Sequence, residues 1–169
     1  MQLSQQLTLA NFTILTDDVL HQLGESPTAV KLKYKEQFNP PPAIVANMQK
    51  LSSKLDIVAM KMKASGYGFD ITSGYRCERL NTAVGGKKNS AHIRGLAADI
   101  RFTNQQHAKE LIDALIAAGF KRIGLGSTFI HADIDNTLPH PACWLYSAKF
   151  KTPAWLAAWE KDIESQLKN

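Results

Sequence analysis

Three residues of this 169-residue chain have types that could do chemistry together: His92, Asp99 and His131. His92 stands seven positions before Asp99 in the stretch SAHIRGLAADI, residues 90–100. At about 3.3 Å per extended residue that separation is roughly 23 Å, so the two share a ligand only if the chain folds back between them. Gly95 makes the reversal cheap, because glycine tolerates backbone angles that other residues avoid. Asp99 lies in the otherwise apolar run LAADI, where a lone carboxylate is costly unless paired or bound to a cation. In FIHADID, residues 129–135, strand alternation points Phe129, His131, Asp133 and Asp135 to one face and Ile130, Ala132 and Ile134 to the other. The first face sets an imidazole beside a carboxylate, which suits a metal site or an acid–base pair. Two imidazoles and a carboxylate form a ligand set that zinc accepts, with a fourth position open to water. Such a metal lowers the pKa of its water toward about 7 and polarises a carbonyl. The plainer alternative is a hydrogen-bonded His–Asp pair in the core beside an unrelated histidine.

Elements must position these residues. Residues 1–42 read as an irregular segment ending in Asn39-Pro40-Pro41-Pro42, which cannot be helix interior. Residues 43–169 read as the core of one domain spanning 1–169. Ile44, Val45, Met48, Leu51, Leu55, Val58, Ala59 and Met62 recur at helical spacing, and Gly66 suits the C-terminal cap. Phe69 to Thr72 reads as a strand, and Cys77 to Val84 as a short helix closed by Gly85-Gly86. Leu96 to Phe102 reads as a strand. Thr103 with Gln106 has the form of a capping box opening a helix through Ile112, Leu115 and Ile116 to Gly119. Strands follow near Arg122 to Leu125, Phe129 to Ile134 and Ala142 to Tyr146. Pro153 starts a last helix with Trp155, Leu156, Trp159 and Ile163 on one face. The pattern predicts an α+β fold with a small antiparallel sheet and flanking helices.

The net charge of +5 favours an anionic partner, either nucleic acid or a bacterial cell wall with its carboxylates and phosphates. No apolar run of about 18 residues occurs, which predicts no stable membrane insertion. The N-terminus has no basic region followed by an apolar stretch, so no secretory signal is expected. Cys77 and Cys143 are too few for a disulfide framework, and a small buried thiol is the simplest reading of each; their pairing is left open.

ITSGYRCERLNTAVGGKKNSAHIRGLAADI, then RIGLGSTFIHADID and CWLY, resemble the peptidase M15 family. Its members are zinc D-alanyl-D-alanine carboxypeptidases and related peptidoglycan peptidases that share a fold with the Hedgehog signalling domain, and phage and prophage lysis enzymes are common relatives. The resemblance runs from about Ile71 to Tyr146 through S-G-Y-R, N-x-x-V-G-G, S-x-H-x-x-G-x-A-x-D and H-x-D. It implies that His92, Asp99 and His131 hold one zinc ion. It implies that Arg76 faces the cleft and binds a substrate carboxylate or carbonyl, for which a guanidinium fork is suited; a surface salt bridge is the alternative. Ser90 would hydrogen-bond the peptide or make only a local turn contact. Tyr75 and Trp144 would line the cleft, though core packing is the plainer place for both. Several branches of the family carry a catalytic acid three residues before the last zinc histidine. Here that position is Thr128, which cannot act as a base. Asp133 is then the candidate base, or else a partner that orients a ligand. His140 reads as a loop histidine, and His21 and His107 as structural or exposed.

The expectation is a monomeric zinc peptidase acting on peptidoglycan stem peptides, as a carboxypeptidase or an endopeptidase. It would be made in the cytoplasm and reach the wall by phage-type release or on a virion. The alternative is a non-catalytic, zinc-containing wall-binding module. Nucleic-acid binding rests on charge alone; GGKK, residues 85–88, and the terminal lysines look like solvated surface, and no base-reading motif is present.

Overall fold

Pro42 has no N–H to leave unpaired in a first helical turn, and its fixed φ suits a helix start. Among the residues described in the computed structural model, 1–2, 7–146 and 151–169, it opens the longest helix, α5, which follows four shorter ones and runs Pro42–Ala64. The periodic stripe is the buried one: Met48, Leu51, Leu55, Val58 and Met62 are all within the core, whereas Ile57 and Met60 face outward. α5 packs against α7, Gln105–Ala117. Between them lie β1, Ile71–Ser73, the short helix α6, Glu78–Ala83, and β2, Ala97–Arg101. After α7 come β3, Arg122–Leu125, β4, Phe129–Asp133, and β5, Ala142–Leu145. α8, Ala154–Ala157, and α9, Glu160–Lys168, end the chain. Among the described residues no helix is long and apolar enough to cross a membrane.

The α+β expectation holds, with a refinement in the sheet. Its order is β1-β2-β4-β3-β5. The β1–β2, β2–β4 and β3–β4 pairs are antiparallel, but β5 lies parallel to β3. After β4 the chain reverses direction and skips over β3, so the next strand must run in β3's own direction. Side-chain alternation carries no record of that skip.

Residues 1–42, read as irregular, contain α1, Leu9–Phe12, α2, Asp17–Leu23, α3, Pro27–Lys33, and α4, Lys35–Phe38. Helices of one or two turns are too short to show a periodic stripe, and their stability comes from packing. Phe12, Val30 and Tyr34 are buried with the helices and sheet in one core cluster. Two smaller boundaries also shift. Asn104, not Thr103, caps α7, its side chain accepting from the His107 N–H. The single last helix is two, α8 and α9.

Candidate metal centre

Strand register brings the chemistry together. Asp99 on β2 pairs with His131 on β4, His131 pairs with Gly124 on β3, and Gly124 pairs with Trp144 on β5. These residues form one row across the sheet, and directly opposed residues point to the same face. His92 reaches the row from the turn before β2. That turn reverses at Gly95, φ 67°, and the Leu96 N–H donates to the Ala91 carbonyl at 3.0 Å.

The result is a tight triangle. His131 Nδ1 lies 2.9 Å from Asp99 Oδ1, His92 Nε2 lies 3.3 Å from the same oxygen, and the two ring nitrogens are 3.1 Å apart. Ligands set tetrahedrally at about 2.0–2.1 Å from zinc stand about 3.3 Å from one another, so the cluster needs little more than a slight spread. The outer nitrogens supply a second test of fit. His92 Nδ1 lies 2.6 Å from the Gly74 carbonyl oxygen, and His131 Nε2 lies 3.0 Å from Asp133 Oδ2. Each outer partner is an acceptor, so each outer nitrogen donates, and the inner nitrogens keep their lone pairs. Two lone pairs and a carboxylate oxygen facing one point repel unless a cation or a proton lies between them. The donor set therefore fits a divalent metal.

Electrostatics agree. Burial, then the Arg76 charge, holds His92 below the ordinary histidine range against the pull of Asp99. Burial works to raise the Asp99 carboxyl, but the facing His92 and His131 rings outweigh it and hold it well below the usual carboxylate range. Burial likewise works to lower His131, but Asp133 and Asp99 outweigh it and raise it to about 9. Without a metal, a proton takes the cation's place in the cluster.

The triangle opens into a cleft of about 580 Å³ whose walls include Arg76, Ser90, Arg122, Thr128, Phe129, Asp133, Trp144 and Tyr146. Among the described residues the buried Nε of Arg76 has no hydrogen-bond partner, an unusual state for a guanidinium in a folded chain. Its backbone is pinned: its own N–H donates to the His92 carbonyl at 3.1 Å, and Gln37 spans its neighbours. Gln37 Nε2 donates to the Tyr75 carbonyl at 2.6 Å and Oε1 accepts from the Cys77 N–H at 2.8 Å. Ser90 both lines the cleft and makes the local turn contact, its Oγ accepting from the His92 N–H at 3.3 Å.

Tyr75 departs from expectation. It is buried in the hydrophobic core and is not part of the cleft wall, because the S-G-Y-R turn sends alternate side chains to opposite sides. Trp144 does line the cleft, with its ring centroid 5.2 Å from that of His131, and Tyr146, two residues on, joins it at 6.2 Å. The period-2 spacing in CWLY was the signal for Tyr146. Asp133 is not free to move: both oxygens face Arg122 Nε, at 2.9 and 3.0 Å, and Oδ1 also accepts from the Asp135 N–H at 3.1 Å. Asp135 itself is buried in a pair with Arg94. His107 stacks on Tyr67 with its Nε2 3.1 Å from the Gly68 carbonyl oxygen, and His140 is exposed and outside the cleft. Cys77 and Cys143 are unpaired thiols.

Set against family models, residues 28–133 match the one described as Peptidase M15. A search of curated proteins found no match. The matched stretch covers well over half of the chain and contains His92, Asp99 and His131 together with Arg76, Ser90 and Asp133. By that match the chain belongs to the peptidase M15 family.

Proposed function

We propose that the protein is a zinc-dependent peptidase that hydrolyses peptide bonds in the stem peptides of bacterial peptidoglycan. The observation that carries this reading is the meeting of His92 Nε2, Asp99 Oδ1 and His131 Nδ1 within 3.3 Å of one another at the floor of an open cleft. A zinc ion held by those atoms would act as a Lewis acid toward the scissile carbonyl and lower the pKa of a water in its open position. The chain's own groups do the rest. Arg76, half-buried in the cleft wall, offers a guanidinium fork to a substrate carboxylate or carbonyl. Ser90 lies on the same wall for the peptide backbone, and Trp144 supplies an apolar surface beside the reacting centre. Asp133 acts through His131, holding the proton on Nε2 so that Nδ1 is free to ligate. The cleft walls carry Arg76, Lys87, Arg101 and Arg122 against the carboxylates Asp99 and Asp133. That excess of positive charge suits stem peptides, which bear free carboxylates.

One observation favours the non-catalytic, wall-binding alternative. Among the described residues lining the cleft, both carboxylates are already engaged, Asp99 with the histidines and Asp133 with Arg122 and His131. The two readings part in one experiment. Purified peptidoglycan is incubated with the zinc-loaded chain, and the muropeptides are weighed before and after. The peptidase reading expects a new product whose mass names the bond cleaved, absent with chelator and with His131→Ala. Wild type that yields no product, or His131→Ala that still yields it, overturns the reading. One equivalent of zinc and retention on the wall without cleavage supports the binding module.

A further inference from the structure

Asp133 points one oxygen at His131, but a carboxylate can rotate, and something must hold it. Its cross-strand partner is Arg122, opposite it in the β3–β4 register. Both side chains are almost shut off from solvent, Arg122 12% and Asp133 1% exposed. A carboxylate so removed from water needs a counter-charge. Arg122 Nε provides it, within 3.0 Å of both oxygens. The guanidinium is fixed in turn from its far side. Its Nη1 donates to the Pro139 carbonyl, in the loop between β4 and β5, and its Cζ lies 5.1 Å from the Trp144 ring centroid on β5. A planar, delocalised fork is what such a stacked and doubly bonded place requires. The contacts thus run in a chain from Trp144 and Pro139 through Arg122 and Asp133 to His131 Nε2, and across the ring to Nδ1 in the triangle.

We propose that Arg122 is a positioning residue of the metal centre, acting through Asp133 to keep His131 turned with Nδ1 toward the metal. Because Arg122 also grips Trp144, the same guanidinium sets the aromatic wall of the cleft in register with the ligand triangle. The proposal rests on the metal-centre reading above but not on any peptidase activity.

The test is the zinc affinity of the full chain, read by competition with a chromophoric chelator, with the visible spectrum of the cobalt(II)-loaded chain as a report on ligand geometry. Loss of a partner that orients a ligand typically weakens metal binding about 10–100-fold, and that is the loss expected for Arg122→Gln, with an altered cobalt spectrum. Arg122→Gln combined with Asp133→Asn is expected to bind no more weakly than Asp133→Asn alone, since the two residues act in one chain. Arg122→Gln with affinity within about twofold of wild type, or losses that add in the double variant, overturns the proposal. Should Arg122→Gln fail to fold, Arg122→Lys keeps the charge and the aliphatic stem but not the planar grip. It is expected to lose about tenfold, again without adding to Asp133→Asn, and wild-type affinity in it overturns the proposal. A wild type that takes up no zinc sinks the metal reading and this proposal together. A zinc-binding wild type with an unaffected Arg122 variant sinks this proposal alone.

Discussion

His131 has a task for each ring nitrogen, Nδ1 in the triangle with Asp99 and His92 and Nε2 on Asp133. Among the described residues no other side chain joins His92 and Asp99 as a metal donor at that place. His131→Ala is therefore expected to bring zinc content down from one equivalent to under about a tenth, measured by metal analysis after dialysis. The same residue predicts a pH dependence. The metal-free ring titrates near 9, held up by Asp133 and Asp99 against burial. Below that pH zinc must displace a proton, and above it none is present. Affinity should climb about tenfold per pH unit from about 6.5 to 9 and then level off. His92 adds no step in that window, since burial and Arg76 hold it low. Chelator competition across the range checks this, and a flat profile contradicts it.

At the scale of elements, the centre depends on strand and turn positions where a side chain would not fit. A Cβ on Gly124 would stand 2.7 Å from Trp144 Cε2 and from Tyr146 Cε2, so the strand beneath the aromatic wall must be bare. Gly124→Ala is expected to push both rings off the sheet, cost about 1–3 kcal/mol of stability in a urea melt and change the tryptophan emission. Gly95 adopts φ 67°, and a Cβ there would meet Ile44 Cγ2 and Met48 Cγ at 3.0 Å, against α5. Gly95→Ala strains the turn that delivers His92 and should cost about 1–3 kcal/mol in the same melt, with weaker zinc binding. A variant as stable as wild type and equally tight for zinc contradicts it.

At the scale of the whole molecule, the N-terminal segment is the bed of the site. Gly74, whose carbonyl holds His92, lies so close to α1 that a Cβ on it would be 2.6 Å from the Phe12 carbonyl oxygen. Gln37, fully buried on α4, bonds the peptide groups on both sides of Arg76. Gln37→Ala leaves a buried carbonyl and a buried N–H without partners, at about 1–3 kcal/mol each. A drop in melting temperature and a weaker hold on substrate are expected together; an unchanged melt contradicts the role.

The chain's own order of residues determined much of this. The expense of a carboxylate in LAADI, the one-face grouping in FIHADID and the reversal at Gly95 pointed to His92, Asp99 and His131, and helical spacing located α5. Those are local signals, carried by neighbours in sequence and by periods of 2 and 3.6 residues. Tertiary structure alone decided the rest. Which residue of β3 faces Asp133, that β5 runs parallel, that Tyr75 turns into the core while Arg76 turns into the cleft, and that Gln37 braces them are matters of register and packing between distant segments. Register depends on pairing energies summed over whole strands, and one-turn helices owe their form to what they pack on, so no short stretch of sequence holds that information.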